Sequence, residues 1–306
     1  MMSKTCNSIL YEQIEKHGYK EMVTYLNELG DDWLYRAQPS EDDLQTTLER
    51  ECMSSKCELK DVEDIEIQMI RQFRRLYDGE DRQKIQDDIL YCLSLMRHYG
   101  APTRLLDFTY SKYVAIYFAL ECAYDDIRKD HGKRDYDGER SCAIWCIQED
   151  ELLMKVRGKY PHLKNLLLSR GKDRTRDNKS FEPLYTNNAY NLVVWENPIQ
   201  LHARLHLQQG VFLCPGNVKI PFMENLFYPY DNIKTDKIKK IVCHIQPSDI
   251  QSAFEESTRM NVTRESLFPG LDGFAKSMKY QFWFYSKLAK RIKDSDMILK
   301  GIKKLT

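Results

Sequence analysis

Three clusters in this sequence have the residue types and spacing to do chemistry, and each contains an arginine. The first is Arg36, which follows the aromatic run Trp33-Leu34-Tyr35 and precedes Ala37-Gln38-Pro39. A guanidinium at a strand end beside a turn can aim its planar fork at a phosphate or carboxylate. The competing reading is a structural pair with Asp32 or Asp42. The second cluster runs from His98 to Thr109, where Gly100 and Pro102 make a rigid turn. Arg104 and Asp107 are three residues apart, near enough to pair across that turn. A buried pair of this kind costs desolvation and fixes the loop's shape. The functional reading makes the same turn a pocket wall, with His98, Tyr99, Thr103 and Thr109 as its polar tips. Ser111 then opens a helix whose first amides can receive an anion. The third cluster is His202 to Phe212. His202 and His206 share one face if the segment is helical, but no Glu lies between them as in the zinc-protease motif. Arg204 and Gln209 are the polar contacts expected there.

Several chemistries are not supported. The chain has no Gly-rich phosphate loop, no Ser nucleophile elbow and no Cys-His pairing. It lacks the cluster of carboxylates that metal-dependent cleavage needs. The nine cysteines include no C-x-x-C pair, and several lie in apolar segments, as buried free thiols do. Cys142 and Cys146 with a distant His have the wrong spacing for a structural zinc site, so no metal is expected. The formal net charge is zero, which argues against global attraction to nucleic acid or membrane. A local basic groove is still compatible with that balance, and the segment from Arg170 to Lys179 is the candidate, against a plain solvated loop. No apolar run approaches the ~20 residues of a membrane span. Met1 to Leu10 has one Lys and no apolar stretch of signal-peptide type. A reducing cytoplasm and no membrane contact are the expectations.

The elements that must position these residues are read from periodicity. At 42% hydrophobic and 30% charged, 306 residues can bury a sizeable core. Apolar spacing predicts helices over Ser8 to His17 and Tyr19 to Leu29, the second ended by Gly30. Trp33 to Arg36 reads as a strand. Ser40 with Asp43 reads as a capping box for a helix reaching about Glu51. Ile65, Met69, Phe73 and Leu76 predict a helix closed by Gly79, and Ile85 to Met96 predict another. Tyr113 to Tyr124 is apolar almost all round, as in a buried helix. Lys129 to Arg140 reads as an exposed loop. Cys142 to Ile147, Leu192 to Trp195, Val211 to Cys214 and Ile238 to Ile245 read as strands. Ser248 with Gln251 is expected to cap a helix after Pro247, and Leu271 to Leu299 to end the chain as helix. The pattern is α+β, a mixed sheet with flanking helices, and no linker divides it.

Three stretches together resemble the FRG domain family. Trp33-Leu34-Tyr35-Arg36-Ala37-Gln38 is similar to the family's Tyr-Arg-Gly-Gln. The most specific is Arg97-His98-Tyr99-Gly100-Ala101-Pro102-Thr103-Arg104-Leu105-Leu106-Asp107-Phe108-Thr109, continuing through Ala115 to Ala119. The third is Arg204 with Gln208-Gln209-Gly210-Val211-Phe212, and Ser266 to Gly273 looks like the closing segment. The resemblance spans roughly residues 30 to 280 and implies a single FRG-type domain over 1–306 with helical elaborations at both ends. Ala37 stands where the family has Gly, and Arg97 where it has Gln.

The family in turn resembles the ADP-ribosyltransferase superfamily and occurs in bacterial toxin and anti-phage settings. That resemblance implies an ADP-ribosyltransferase-like core and NAD as co-substrate. It also implies a nucleic acid (RNA before DNA) or protein target, and an antitoxin or inhibitor protein as a further partner. Arg36 then matches the arginine that grips the NAD phosphates or ribose. Thr109 and Ser111 fall beside the nicotinamide ribose. His98, Tyr99, Arg104 and Arg204 line the cofactor site, and Gln209 falls near the third motif. The superfamily's catalytic Glu is not evident, so Asp107 or Glu224 is expected to substitute. The alternative is a non-catalytic sensor of nucleotide or nucleic acid.

Overall fold

The computed structural model describes residues 10–39, 42–129, 140–163, 182–197 and 203–302. Ser40, residues 130–139 of the expected exposed loop, the basic segment Arg170 to Lys179 and His202 lie outside the described residues.

Seven strands form one mixed sheet in the order β1-β7-β4-β2-β3-β6-β5. The strands are β1 (Glu12–His17), β2 (Trp33–Pro39), β3 (Leu106–Thr109), β4 (Arg140–Gln148), β5 (Val193–Glu196), β6 (Gly210–Pro215) and β7 (Ile238–Ile245). Only β1 and β7 run parallel. Strand β1 replaces the first expected helix. Its residues alternate between half-buried and exposed, the period-two signature of an edge strand. The apolar residues of that stretch are too few to separate the two periods, and pairing with the buried β7 decides the outcome.

The period of two also sorts the core. Along β4, Cys142, Ile144 and Cys146 face one side, while Trp145 and Ile147 face the other. On the first side pack α1 (Tyr19–Glu28), α6 (Lys112–Lys129) and α11 (Pro247–Arg259). On the second pack α3 (Val62–Leu76), α4 (Arg82–Asp87), α5 (Ile89–His98) and α7 (Glu149–Lys159). Between these fall α2 (Thr47–Ser54), α8 (Glu182–Thr186), α9 (Ala203–Leu207), α10 (Phe222–Phe227) and α12 (Arg264–Leu267), and α13 (Leu271–Ile302) follows. Helix α6 is buried along most of its described length, as its apolar composition requires.

Some boundaries differ from the sequence reading. Thr46 caps α2, its side chain accepting from the Glu49 amide at 3.1 Å. The stretch Ile85 to Met96 is two helices, because the Asp88 backbone is extended and its carboxylate accepts from the Tyr91 amide to start α5. Ser248 is not a cap: Gln246 holds that position without a side-chain bond, and Pro247 supplies the first turn. Gly100 ends α5 at φ +87°, with the Ala101 amide donating back to Met96 O at 2.9 Å. This is the left-handed exit that glycine makes without strain.

That exit aims the next residues inward, and there the expected Arg104–Asp107 pair does not form. Arg104 pairs with Glu66 of α3 instead. Its Nε donates to Oε2 at 2.8 Å and its backbone amide to Oε1 at 3.2 Å, with Nη2 closing the fork. Arg104 sits at a bend before β3 and reaches α3, whereas Asp107 lies within β3 and reaches Arg97 of α5. Both members of the Arg104–Glu66 pair are buried. Removing one partner leaves the other charge stranded, at a cost of about 3–5 kcal/mol. Glu66→Ala is therefore expected to lose stability on that scale in urea unfolding, whereas replacing both residues by Met should recover much of it. A loss under about 1 kcal/mol for the single variant contradicts this role.

Candidate functional site

Strands β2 and β3 pair at a single position, Tyr35 opposite Thr109, whereas β2 pairs with β4 over its full length. The sheet is therefore split into a four-strand part, β1-β7-β4-β2, and a three-strand part, β3-β6-β5. Below the lone bridge the backbones no longer bond to each other. Side chains do so instead: Arg36 Nη1 donates to the Asp107 carbonyl at 2.8 Å.

The Asp107 carboxylate is held from α5. Arg97 Nε and Nη2 both donate to its Oδ2, at 2.9 and 2.5 Å. Arg97 Nη1 also donates to Thr47 Oγ1 at 3.1 Å, and Thr47 in turn bonds the Thr103 backbone. Arg97 thus ties the Gly100–Thr103 turn and β3 to α2. Burial pushes the Asp107 carboxyl up, but Arg97, by charge and hydrogen bonding, and the charges of Arg36 and Arg204 outweigh it and hold it below the usual carboxylate range.

A cavity of about 270 Å³ opens at this split, between the sheet and α6. Arg36, Asp107, Thr109, Glu121, Asp125, Arg204 and Gln208 contribute to its polar lining, and Phe118 and Phe268 to its apolar lining. A small pocket beside Arg97 and His98 shares Asp107, Arg204 and Gln208 with it. Burial pushes the Arg36 guanidinium down to about 10, so it stays charged at neutral pH. Its Nε is buried with no hydrogen-bond partner. Arg204 stacks on Phe268 with its guanidinium carbon 4.4 Å from the ring centre, and Arg264 lies at the same distance. Burial lowers the Arg204 guanidinium as well. Buried donors of this kind favour an anion, because phosphate oxygens satisfy them better than a lone water does.

Glu121 is the acidic residue that the sequence reading missed. It projects from α6 into the cavity, is buried, and is paired with Arg264 Nη1 at 2.6 Å. Burial raises its carboxyl, against the opposing pull of Arg264 and Tyr117. One signal was available: Glu121 is the lone acid within the apolar stretch from Tyr113 to Tyr124. Glu224, by contrast, belongs to α10 and lines neither this cavity nor the pocket beside it.

The remaining expected residues are distributed as follows. Thr109 lines the cavity, but its hydroxyl is engaged, donating to Gln208 O at 2.7 Å and accepting from the Ser111 amide at 2.9 Å. Ser111 opens α6, its hydroxyl accepting from the Val114 amide at 3.4 Å, and does not line the cavity. His98 borders the small pocket, and burial lowers its imidazole. Tyr99 stacks edge-on against His98 and is 68% exposed. Arg104 lies apart, held by Glu66. Gln209 is exposed and outside the cavity. Its left-handed backbone, φ +46°, turns the chain from α9 into β6, and it is the preceding Gln208 that lines the site. His206 is exposed on α9.

Fold and site together define a cleft at a break in a mixed sheet, lined by two arginines and three carboxylates. Residues 31–127, about a third of the chain, match the family model described as FRG domain. The span contains Arg36, Arg97, Asp107, Thr109 and Glu121, whereas Arg204, Gln208 and Phe268 lie beyond it. No curated protein and no solved structure matches the chain. Among the described residues, no helix is long and apolar enough to cross a membrane.

The depressed Asp107 carboxyl has a definite pH signature. Its stabilisation is present above the unfolded value, about 4, and is lost as pH falls through the lower folded value. The protein and its Asp107→Asn variant should differ in urea midpoint at pH 7 and converge well below about pH 4. A gap that persists under acid conditions contradicts the assignment.

Proposed function

We propose that this chain is an NAD-dependent ADP-ribosyltransferase whose reacting centre is the cleft between β2 and β3. The observation that supports the reading most is Arg36. Its guanidinium is charged and lies at the split, its Nε has no partner, and Arg204 lines the same cavity. Two cations at one cleft suit a pyrophosphate. At about 270 Å³ the cavity falls near the lower limit of ordinary small-molecule sites, ~300 Å³. It would therefore enclose one end of a dinucleotide and leave the other end outside.

In such a reaction the glycosidic bond breaks with its electron pair leaving on neutral nicotinamide. Positive charge then builds on the ribose until a nucleophile of the target adds and gives up its proton. A carboxylate beside the ribose lowers that barrier electrostatically. Asp107 and Glu121 both line the cleft, and Phe118 and Phe268 offer flat apolar surface to the nicotinamide ring. Arg36 and Arg204 bind and orient. Asp107 is ionised and rigidly held, so it is the group assigned to face the developing charge. The target is nucleic acid or protein.

A second reading is a nucleotide-binding module without turnover. It is favoured by one observation: Asp107 is tied to Arg97 and Glu121 to Arg264, so both carboxylates are already charge-neutralised. A labelling experiment separates the two. With NAD labelled in the ADP-ribose part, lysate nucleic acid or protein should acquire label. Arg36→Ala should abolish the transfer, and Asp107→Asn should lower it about 100-fold or more, the scale of losing a transition-state electrostatic contact. Saturable NAD binding without any transfer would establish the second reading.

A further inference from the structure

A larger cavity, about 760 Å³, lies elsewhere in the molecule, bounded by α3, α4, α5 and α8. Nothing in the ADP-ribosyltransferase reading uses it. Its apolar lining includes Ile67, Ile70, Ile89 and Leu93, and Ile67 is 52% exposed. Five arginines border it: Arg71, Arg74, Arg75, Arg82 and Arg104.

The charges there do not cancel. Three carboxylates face the five arginines: Glu66 is paired with Arg104, Glu63 with Lys219 at 2.5 Å, and Glu182 is the third. Arg74 donates its Nε to the Ile85 carbonyl at 3.0 Å, which fixes its guanidinium at the cavity wall. Arg71, Arg75 and Arg82 are exposed, and among the described residues no carboxylate pairs with them. Arg104, only 4% exposed, keeps Nη1 buried without a hydrogen-bond partner in spite of its bonds to Glu66.

Spacing explains the arrangement. Positions 67, 70, 71, 74 and 75 recur at three and four along α3, so they share one face of that helix. That face carries two isoleucines followed by three arginines. A row of guanidiniums beside an apolar wall fits a ligand with phosphates at one end and a flat or apolar group at the other. The volume suits a small organic molecule of nucleotide size.

We propose that this cavity is a second, independent site for a phosphorylated small molecule of nucleotide type, with Arg71, Arg75 and Arg82 taking the phosphates and Ile67 and Ile70 the base. The buried Arg104 forms its inner wall and connects it physically to the cleft. The same turn that carries Arg104 leads directly into β3 and Asp107.

The test uses the full chain in the Arg36→Ala background, which silences the cleft, and calorimetric titration with ATP and with inorganic tripolyphosphate. ATP should bind saturably at one site per chain. Arg71→Ser with Arg75→Ser, both exposed and so compatible with folding, should weaken it tenfold or more. Tripolyphosphate should bind more weakly than ATP, because it has no group for the apolar wall. Ile67→Glu, also at an exposed position, should reduce ATP binding while leaving the thermal unfolding midpoint unchanged. No saturable ATP binding, binding that survives the double arginine variant, or tripolyphosphate binding as tight as that of ATP would each overturn the proposal.

Discussion

The structure depends most on the way Asp107 is gripped from two sides. Its carboxylate is held by Arg97 of α5, and its backbone carbonyl receives Arg36 of β2. Between β2 and β3 the sheet has one bridge where a continuous sheet would have a ladder. Unpaired backbone groups at such a break are costly unless something else satisfies them. Arg36 does so for one carbonyl, while its Nε is buried without a hydrogen-bond partner beside the cavity that the residue lines. The weak join of the sheet and the cleft beside it are therefore one feature.

Three arginines close to one aspartate would repel each other in a dry interior. They are tolerated because each has a different compensation. Arg97 has Asp107 and Thr47, Arg204 has the Phe268 face, and Arg36 has a carbonyl. Of the three, Arg36 keeps a buried Nε without a hydrogen-bond partner. Incomplete satisfaction of a buried cation costs stability and favours a bound anion, the compromise expected where function is kept at the expense of packing. Glu121 and Arg264 repeat the arrangement across the cavity, and Glu121 Oε1 is likewise buried without a partner.

Much of this was legible in the sequence, and the failures have physical causes. Strand β4 is legible because its central residues, Cys142 to Ile147, are buried on both faces and form an apolar run, and β7 because Ile241 to Cys243 do the same at its centre. Edge strand β1 was read as helix because six residues, half of them charged, carry little periodic information without the partner they pair with. Arg36 and Asp107 are singled out by residue type and by the family resemblance, and both line one cavity in the structure. An Arg104–Asp107 pair is expected from nearness in sequence alone, but the bend at Arg104 sends its side chain to α3 while Asp107, in β3, meets α5. Glu121 was passed over because an acid inside an apolar helix signals burial without saying what it faces. Gln208 and Gln209 differ by one position, and only the left-handed turn at Gln209 decides which of the two enters the cleft.

Amide hydrogen exchange with and without NAD addresses the cleft most directly, since it reads the join and the ligand together. In the free protein, the amides of Leu106 to Thr109 should exchange faster than those of Cys142 to Ile147, which are laddered on both sides. Saturating NAD should slow exchange in Leu106 to Thr109 and Trp33 to Pro39, and Arg36→Ala should remove that protection. Protection that appears elsewhere in the sheet, or is unchanged by Arg36→Ala, would contradict the assignment of this cleft as the NAD site.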